Sequence, residues 1–304
     1  MAKILITGVE GFIGLNLAQA LLQSGHQVRG TDILPHRNFP SKADYYQGNL
    51  ADQKFTRSLV EGVDGVIHLA GVSRASLGRV NQIACTNDNI TTSVTLFQAI
   101  REENRNIWLM VGSTREVDHL HEKKKPDSLG DFYAISKVAM EHMAISFANE
   151  GCFPLMIMRM SDVYGEHNDH SDKLLPIFLD KAFAGDTLQV NNSEAVFYYT
   201  YITDVVNALL DGASTMINAP KQVEIRRLWN SNEGITIQGL AETVCRVINS
   251  TSDILLPEDN STQLLESEQN TGTNSSQNTW NFTQEISLED GIRALNVKRQ
   301  KYPN

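Results

Sequence analysis

The sequence predicts an α/β protein in which a doubly wound parallel sheet is followed by a smaller C-terminal lobe. Short apolar segments alternate with helical segments, and the first apolar segment runs into a glycine-rich turn. The predicted strands of the first half are KILITG, VRGTDI, DGVIHLAG and IWLMVGST. Helical periodicity lies between them, from Phe12 to about Ser24 and over about 87–103. Strands that alternate with helices form parallel sheets with right-handed crossovers.

We predict a first domain at residues 1–160, completed by about 197–230, and a smaller lobe at 161–196 and 231–304. A chain of 304 residues has room for one large domain or two packed ones. After the strand PLMIMRM and the turn DVYGEHND, strands and helices no longer alternate regularly. Residues 257–281 are polar and poor in large apolar side chains, which predicts a mobile surface loop.

Composition and charge exclude several classes of protein. The net charge is −10 and the pI about 5.3, with no basic stripe interleaved with aromatics, so we expect no nucleic-acid partner. No segment reaches the roughly 18–20 apolar residues of a membrane span. No apolar leader precedes the first strand, so we expect a cytoplasmic protein. Cys85, Cys152 and Cys245 form no C-x-x-C pair, so neither a metal site nor a disulfide framework is expected.

The turn after the first strand carries glycines at Gly8, Gly11 and Gly14. A pyrophosphate requires a tight turn, close backbone approach and a helix N-terminus, and glycines permit the first two. An isolated G-x-x-G-x-x-G can be a chance turn, but here the second strand ends at Asp32, whose carboxylate can accept hydrogen bonds from ribose hydroxyls. This pattern predicts a Rossmann-type fold that binds NAD rather than NADP. The alternative is that His36-Arg37 reaches a 2′-phosphate.

Tyr133 and Lys137, in DFYAISK, are the candidate catalytic pair. Their i, i+4 spacing places both on one face of a helix, so the ammonium can lie beneath the phenol. A nearby cation lowers the pKa of a phenol, which lets Tyr133 exchange a proton with an alcohol while hydride moves to or from a nicotinamide. A Y-x-x-x-K alone is a common chance match in helices, but this one follows the dinucleotide-binding segments.

Several segments in the same order resemble the extended short-chain dehydrogenase/reductase family, specifically its NAD-dependent epimerase/dehydratase branch, which modifies sugar nucleotides. The matching segments are TGVEGFIG, Asp32, GNL at 48–50, HLAG at 68–71, NITTSVTLFQA at 89–99, GSTREV at 112–117, YAISK at 133–137, RMSDVYG at 159–165, YYTYITDVV at 198–206, WNSNEGITI at 229–237 and SLEDGI at 287–292. The resemblance therefore extends over nearly the whole chain. It implies an enzyme, and it implies a homodimer formed through the helices at about 87–103 and 133–149.

The resemblance also implies a role for individual residues. The implied NAD-binding residues are Gly8, Gly11, Phe12, Ile13, Gly14, Asp32, Ile33, Asn49, Leu50, Leu69, Ala70, Gly71, Tyr133 and Lys137. Asn49 stands where the family usually has an aspartate near the adenine. Thr114 aligns with the Ser or Thr that hydrogen-bonds the reacting oxygen.

Glu116 is the residue that best separates the reactions of this family. The stretch S-T-x-E-V resembles sugar-nucleotide dehydratases and decarboxylases, in which this Glu acts as an acid/base on a neighbouring carbon. Oxidation of one hydroxyl to a ketone acidifies the adjacent C–H and permits β-elimination. The alternative is a Glu116 that pairs with Arg115 or is solvated. Asp118-His119 replaces the usual Y-G of the family, which predicts an unusual pocket on this side.

The sequence departs from nucleotide-sugar enzymes where these usually place two arginines on the diphosphate. Phe197 stands at the first position, and no Arg or Lys occurs between Arg246 and Arg293. A diphosphate would then depend on Arg226, Arg227, Lys173 or backbone groups. The aromatic run at 197–201 offers either a stacking wall or core packing.

The sequence therefore predicts an NAD-dependent epimerase/dehydratase that acts on a sugar or sugar nucleotide by hydride abstraction. Tyr133 is the predicted base, Lys137 tunes it, Thr114 orients the substrate oxygen and Glu116 is a hypothetical second acid/base. Two alternatives remain. One is a simple NAD(P)H-dependent ketoreductase of a substrate without a nucleotide, which the missing arginines favour. The other is a catalytically silent dinucleotide sensor, which has no need of a tuned phenol.

Overall fold

A computed structural model describes residues 1–103, 106–123, 128–165, 169–230, 232–256 and 281–301. Residues 257–280 of the predicted polar loop lie outside the described residues. The strands are β1 (Lys3–Thr7), β2 (Gln27–Asp32), β3 (Asp44–Gln47), β4 (Gly65–His68), β5 (Trp108–Thr114), β6 (Leu155–Met160), β7 (Asp162–Tyr164), β8 (Leu188–Gln189), β9 (Val196–Phe197), β10 (Tyr199–Tyr201), β11 (Val223–Leu228), β12 (Ile235–Thr236) and β13 (Ile254–Leu255).

The α-helices are α1 (Phe12–Gln23), α2 (Gln53–Val60), α3 (Ala75–Val80), α4 (Gln82–Thr86), α5 (Thr92–Glu103), α6 (Glu116–Lys123), α7 (Phe132–Asn149), α8 (Leu174–Ala184), α9 (Ile202–Asn218), α10 (Ile237–Ile248) and α11 (Leu288–Lys301). A π-helical turn, Asn87–Thr91, precedes α5, and a 3-10 turn, Leu129–Asp131, precedes α7. None of these described helices combines the length and the apolar character of a membrane-spanning helix.

The central sheet has seven strands in the order β11-β6-β5-β4-β1-β2-β3, and every neighbouring pair is parallel. This confirms the predicted fold class. The chain builds the sheet outward from β1 through β2 to β3, then crosses back to place β4 on the other side of β1. Ligands of such sheets bind at this switch point, outside the carboxyl ends of the strands. The carboxyl ends of β1 and β4 are Thr7 and His68, which lie side by side in the sheet.

The chain divides into two compact units, one formed by residues 1–160 with 206–228 and the other by 161–205 with 229–304. In the first unit, the central strands β1, β4, β5 and β6 are buried along nearly their whole length, as expected for a parallel sheet covered by helices, whereas the edge strand β3 is largely exposed. One core cluster packs β1, β4, β5 and β6 against α5 and α7, with Phe97 in contact with the rings of Phe147 and Phe153.

The second unit has a small core centred on Tyr164. Its ring packs edge-on against Tyr199 and Tyr201, at 5.8 and 5.2 Å between centroids, and all three side chains are buried. Tyr199 and Tyr201 of the aromatic run therefore provide core packing and not a stacking wall. Phe197, which stands at the first expected arginine position, is half-buried and stacks on Tyr199.

A buried charge cluster anchors the edge strand β11 of the first unit. The Arg226 guanidinium is 4% exposed and contacts Glu224 at 2.7 Å and Asp211 at 2.6 Å. It also donates a hydrogen bond to Thr215 at 3.1 Å. Asp211 is 57% exposed, but the Glu224 side chain is only 6% exposed. Loss of the guanidinium would therefore leave a buried carboxylate that keeps only the longer contact to Lys221, at 3.2 Å, among the ion pairs of the described residues.

We expect Arg226→Met to lower the free energy of unfolding by about 3 to 5 kcal/mol, because Glu224 would be left buried without its guanidinium. The matched control is Arg293→Met, which removes an exposed arginine paired with Glu289 and Asp290. That change should cost no more than about 1 kcal/mol. Urea denaturation measures both, and equal losses in the two variants would contradict the buried cluster as an anchor.

Candidate active site

The glycine-rich turn lies at the carboxyl end of β1. Gly8 adopts a left-handed backbone conformation with φ +70, and its N–H donates to the Thr31 carbonyl at 2.9 Å. The Gly11 N–H donates to the Gly8 carbonyl at 3.2 Å, and Gly11 is the N-cap of α1. These bonds fix the path of the turn between β1 and α1, and the turn places the N-terminus of α1 at the carboxyl end of β1.

The turn approaches its neighbours so closely that side chains would not fit. A Cβ on Gly14 would lie 2.3 Å from the Gly8 carbonyl oxygen, and a Cβ on Gly8 would lie 2.7 Å from the Ala70 nitrogen. No side chain caps the N-terminus of α1, and its first turn has no acidic residue. The first N–H groups of a helix lack intrahelical partners and favour an anion. The turn therefore fits the pyrophosphate of a dinucleotide.

Asp32 ends β2 beside this turn. Its Oδ2 accepts the Glu10 N–H at 3.0 Å and its Oδ1 accepts the Leu34 N–H at 3.1 Å. A carboxylate has about four lone-pair positions, so these two bonds orient Asp32 and leave acceptor capacity for ribose hydroxyls. Ile33, the next residue, is 63% exposed.

The remaining predicted cofactor residues lie around the same end of the sheet, in different environments. Ile13 is half-buried and Asn49 is exposed, with its Oδ1 accepting the Ala51 N–H at 2.8 Å. The side chains of Phe12 and Leu50 are buried. Leu50 belongs to the core cluster of the first unit, which leaves contact with a cofactor to its backbone.

A buried hydrogen-bond chain fixes the ends of β1 and β4. The Thr7 hydroxyl lies 2.8 Å from His68 Nδ1, and the Leu69 and Ala70 N–H groups both donate to it at 3.2 Å. His68 Nε2 lies 2.9 Å from the Ser93 hydroxyl. Burial, and then the nearby Lys137 charge, lower the pKa of His68 to about 3. His68 therefore stays neutral and acts as a structural link.

Tyr133 and Lys137 lie one turn apart on α7, and both side chains are buried. The 3-10 turn before α7 begins with a capping box, in which the Ser128 hydroxyl accepts the Gly130 N–H and Asp131 accepts the Ser128 N–H. The Lys137 ammonium donates to the Gly112 carbonyl on β5 at 3.1 Å. Two residues beyond Gly112, the same strand ends at Thr114. Lys137 thus lies near the carboxyl end of β5, where Thr114 ends the strand, and Tyr133 lies one turn before Lys137 on the same helix.

Burial lowers the pKa of Lys137 to about 8, and the charges of Glu141 and Cys85 oppose that decrease. Glu141 lies one turn further along α7 and is itself buried. It accepts hydrogen bonds from Ser113 and Arg159, with Arg159 Nη2 at 2.5 Å. A cation that is desolvated but still largely protonated near pH 7 exerts a strong field on a neighbouring phenol.

Asn89 is a site residue that the sequence reasoning missed. The predicted helix from about residue 87 begins in the structure as a π-helical turn, and such turns occur frequently at functional sites. The buried Asn89 Nδ2 donates to the Ser136 hydroxyl at 2.8 Å, which itself donates to the Tyr133 carbonyl at 2.7 Å. Asn89 Oδ1 has no hydrogen-bond partner among the described residues and faces Gly71. The available signal was the polar run Asn-Asp-Asn inside an otherwise amphipathic helix.

Glu116 begins α6, directly after the catalytic edge of β5. Its N–H donates to the Thr114 hydroxyl at 3.3 Å, and its carboxylate lies 3.5 Å from the Arg115 guanidinium. The Glu116 side chain is 38% exposed. The structure thus shows the ion pair with Arg115 that the sequence offered as an alternative, in a position where the carboxylate still reaches solvent.

Arg226, Arg227 and Lys173, which the sequence offered as alternative ligands of a diphosphate, contact other groups in the structure. Arg226 is buried in the charge cluster described above. Arg227 forms two hydrogen bonds to the Asp118 carboxylate, at 2.9 and 3.0 Å, and Arg159 approaches the same carboxylate at 2.6 Å. In the second unit, Lys173 contacts Asp169 at 2.6 Å and donates to a backbone carbonyl. Asp118 thus binds two arginines of the first unit, Arg159 on β6 and Arg227 on β11.

The low pKa of Lys137 has a consequence for stability. Between pH 8 and pH 10.5 the unfolded chain keeps a proton on Lys137 that the folded protein releases, so Lys137 makes the fold more stable as the pH rises. We expect the free energy of unfolding of the wild type, minus that of Lys137→Met, to rise by about 3 kcal/mol across this window. Denaturation at a series of pH values measures it. The control is the exposed Lys42→Met, for which the difference should stay constant; a constant difference for Lys137→Met would contradict the burial of its charge.

Comparison with known proteins identifies relatives of this chain. The chain is 27% identical over 274 residues to the UDP-2-acetamido-2,6-beta-L-arabino-hexul-4-ose reductase of Pseudomonas aeruginosa, covering 84% of this chain and 66% of that protein. It is also 27% identical to the human dTDP-D-glucose 4,6-dehydratase, covering 82% of this chain and 75% of the relative. The chain thus spans two thirds to three quarters of the length of these relatives.

A crystal structure of the UDP-glucose 4-epimerase of Thermotoga maritima superposes with a TM-score of 0.79 at 19% identity, covering 99% of this chain and 100% of that one. At this identity, the likeness establishes the fold. The sequence profile of the NAD dependent epimerase/dehydratase family matches residues 4–227, which include the glycine-rich turn, Asp32, Thr114, Tyr133 and Lys137. The chain therefore belongs to the NAD-dependent epimerase/dehydratase family of enzymes.

Proposed function

We propose that this enzyme acts on a sugar nucleotide by removing hydride from a carbinol carbon to NAD, with Tyr133 as the base, and then epimerises or dehydrates the oxidised sugar. The observation that carries the proposal is the buried Tyr133–Lys137 pair on α7, with Lys137 bonded to Gly112 beside Thr114. The first unit contains the proposed NAD-binding residues. The relatives, a UDP-sugar reductase and a dTDP-glucose dehydratase by name, support this substrate class.

The proposed cofactor site consists of the glycine-rich turn, Asp32 and the segments after β3 and β4. Its residues are Gly8, Gly11, Phe12, Ile13, Gly14, Asp32, Ile33, Asn49, Leu50, Leu69, Ala70, Gly71, Tyr133 and Lys137. When bound, NAD supplies a hydride acceptor next to the sugar carbon. The turn holds the pyrophosphate through backbone N–H groups, and Asp32 accepts the ribose hydroxyls.

The side chains of this chain manage the protons of the proposed reaction. The Thr114 hydroxyl hydrogen-bonds the reacting substrate oxygen and orients it toward Tyr133. The Tyr133 oxygen takes the hydroxyl proton as the C–H bond breaks, and it returns the proton when the carbonyl is reduced. The Lys137 ammonium stabilises the tyrosinate, since opposite charges attract strongly in a desolvated site. Tyr133 and Lys137 are both buried, which keeps bulk water from competing for the proton.

Glu116 would extend this chemistry from epimerisation to dehydration. Once the sugar carries a ketone, the C–H next to it becomes acidic, and a carboxylate can take that proton and pass it to the hydroxyl on the next carbon. That hydroxyl then leaves as water, and a C=C bond forms beside the ketone. Glu116 lies two residues beyond Thr114, and its N–H is bonded to the Thr114 hydroxyl. The half-exposed carboxylate can rotate away from Arg115, since such exposed pairs are weak.

A second candidate is a reductase that consumes NADH or NADPH. It is favoured by the sequence of residues 247–292, which contains no Arg or Lys to grip a diphosphate, and by the relative from Pseudomonas aeruginosa, whose name is that of a reductase. The reductase differs from an epimerase or dehydratase in one observable, because an epimerase or dehydratase regenerates its NAD in every cycle.

We also propose that the enzyme is a homodimer that associates through α5 and α7.

The proposal predicts that denatured enzyme releases NAD, identified by mass spectrometry, and that a panel of UDP- and dTDP-sugars is converted without net change in absorbance of the nicotinamide. Tyr133→Phe should lose at least ~100-fold in kcat while the affinity for NADH stays within about threefold, since phenylalanine keeps the ring in the cofactor site and lacks only the hydroxyl that moves the proton. The exposed Tyr46→Phe is the control and should keep full activity. Stoichiometric oxidation of NADH would instead select the reductase.

Glu116→Gln tests the second acid/base. For a dehydratase, we expect the elimination step to slow by at least ~100-fold, while exchange of the carbinol hydrogen with bound NAD continues, because oxidation needs only Tyr133. The measurement is the incorporation of solvent deuterium next to the ketone, followed by NMR. Glu61→Gln, at an exposed position, is the matched control. Unchanged deuterium incorporation in Glu116→Gln would leave Glu116 as a surface partner of Arg115.

A further inference from the structure

Glu10 lies inside the glycine-rich turn, between Gly8 and Gly11, yet its side chain is almost fully buried. Its carboxylate accepts three consecutive backbone N–H groups, from Arg37 at 2.8 Å, Asn38 at 3.1 Å and Phe39 at 3.4 Å. Successive N–H groups that converge on one point form a concave anion site, called a nest. We call residues 37–39 the nest segment. Glu10 is therefore the anion that fills a backbone anion site.

The nest segment is held firmly against the sheet. Phe39 is buried over Gly30 of β2, where a Cβ would come within 2.5 Å of the Phe39 ring. The His36 ring packs edge-on against Phe39 and Tyr45, with centroids 6.3 and 5.1 Å apart. The Tyr45 hydroxyl in turn donates to the Leu34 carbonyl. These contacts fix the shape of the chain after β2, so the nest persists whichever anion occupies it.

The nest lies next to Asp32. The Glu10 N–H donates to Asp32 Oδ2 at 3.0 Å, so the same residue bonds both to the carboxylate at the end of β2 and to the nest segment. Burial, followed by the charges of Asp32 and Glu10, raises the pKa of Tyr45 to about 12. Both carboxylates therefore act on the same phenol. In the proposed cofactor site, Asp32 meets the adenosine ribose, whose 2′ oxygen carries the additional phosphate of NADP.

We propose that Glu10 is a second residue that selects NAD over NADP, because its carboxylate fills the nest beside Asp32 and denies those N–H donors to a 2′-phosphate. The inference rests on the proposed NAD site and deepens it. Two physical effects act together. Glu10 occupies the donors that a phosphate would use, and its charge repels a second anion at short range. Without Glu10, the empty nest would begin at Arg37 and directly follow His36, two residue types that bind phosphate.

The test is the ratio of the Kd for NADPH to the Kd for NADH, measured by fluorescence titration of the purified protein. We expect the wild type to prefer NADH. Glu10→Gln removes the charge at nearly constant volume and should lower the ratio at least about tenfold, chiefly through tighter binding of NADPH. The control is Asp44→Asn, at the exposed first residue of β3, three residues along the strand from the partner of Asp32. It removes one negative charge as well and should leave the ratio within about twofold of the wild type. A ratio in Glu10→Gln equal to that of the wild type overturns the inference.

Thermal denaturation shows whether Glu10→Gln folds. If it does not fold, Asp32→Asn tests the role of Glu10 instead. With Glu10 still in the nest, Asp32→Asn should keep a preference for NADH of at least about threefold, whereas equal affinities would show that Asp32 alone selects the cofactor and would overturn the inference. A wild type that binds neither dinucleotide contradicts the proposed NAD site itself. A wild type that prefers NADH, with a ratio insensitive to Glu10, contradicts only the role of Glu10.

Discussion

The close contact between the glycine-rich turn and the ends of β1 and β4 is the constraint on which the rest of the site depends. Gly14 meets the Gly8 carbonyl and Gly8 meets the Ala70 backbone, at distances that any Cβ would make impossible. This contact places the N-terminus of α1 at the carboxyl end of β1, and helix N-termini at this position of a doubly wound sheet favour an anion. The Thr7–His68 hydrogen bond secures the two strands beneath the turn.

Several charged groups near this contact are buried, and each has partners that offset the cost of its burial. Arg159 contacts both Glu141 and Asp118. Burial lowers the pKa of Lys137, and the charges of Glu141 and Cys85 oppose that decrease. His68 follows the opposite course and stays neutral, because a second cation beside Lys137 would be costly. The result is one concentrated positive charge beneath the proposed base.

In the proposed site, the placement of charges bears on both the substrate and the cofactor. Asp118 pairs with Arg227, and Arg226 pairs with Glu224 and Asp211, so both arginines are committed to carboxylates. The Glu10 N–H donates to Asp32, so the proposal sets two carboxylates where NADP would carry its additional phosphate.

The sequence by itself determined the parallel sheet, the glycine turn and the positions of Tyr133 and Lys137 on one helix, because these depend on local periodicity and short spacing. It did not determine the π turn at Asn89, since a wider helical turn forms only when long-range packing favours it. Nor could it assign Arg227 to Asp118, which lies 109 residues away, or show that Glu10 is buried against residues 37–39. Such pairings depend on which side chains the folded sheet brings together, and only the tertiary structure fixes those distances.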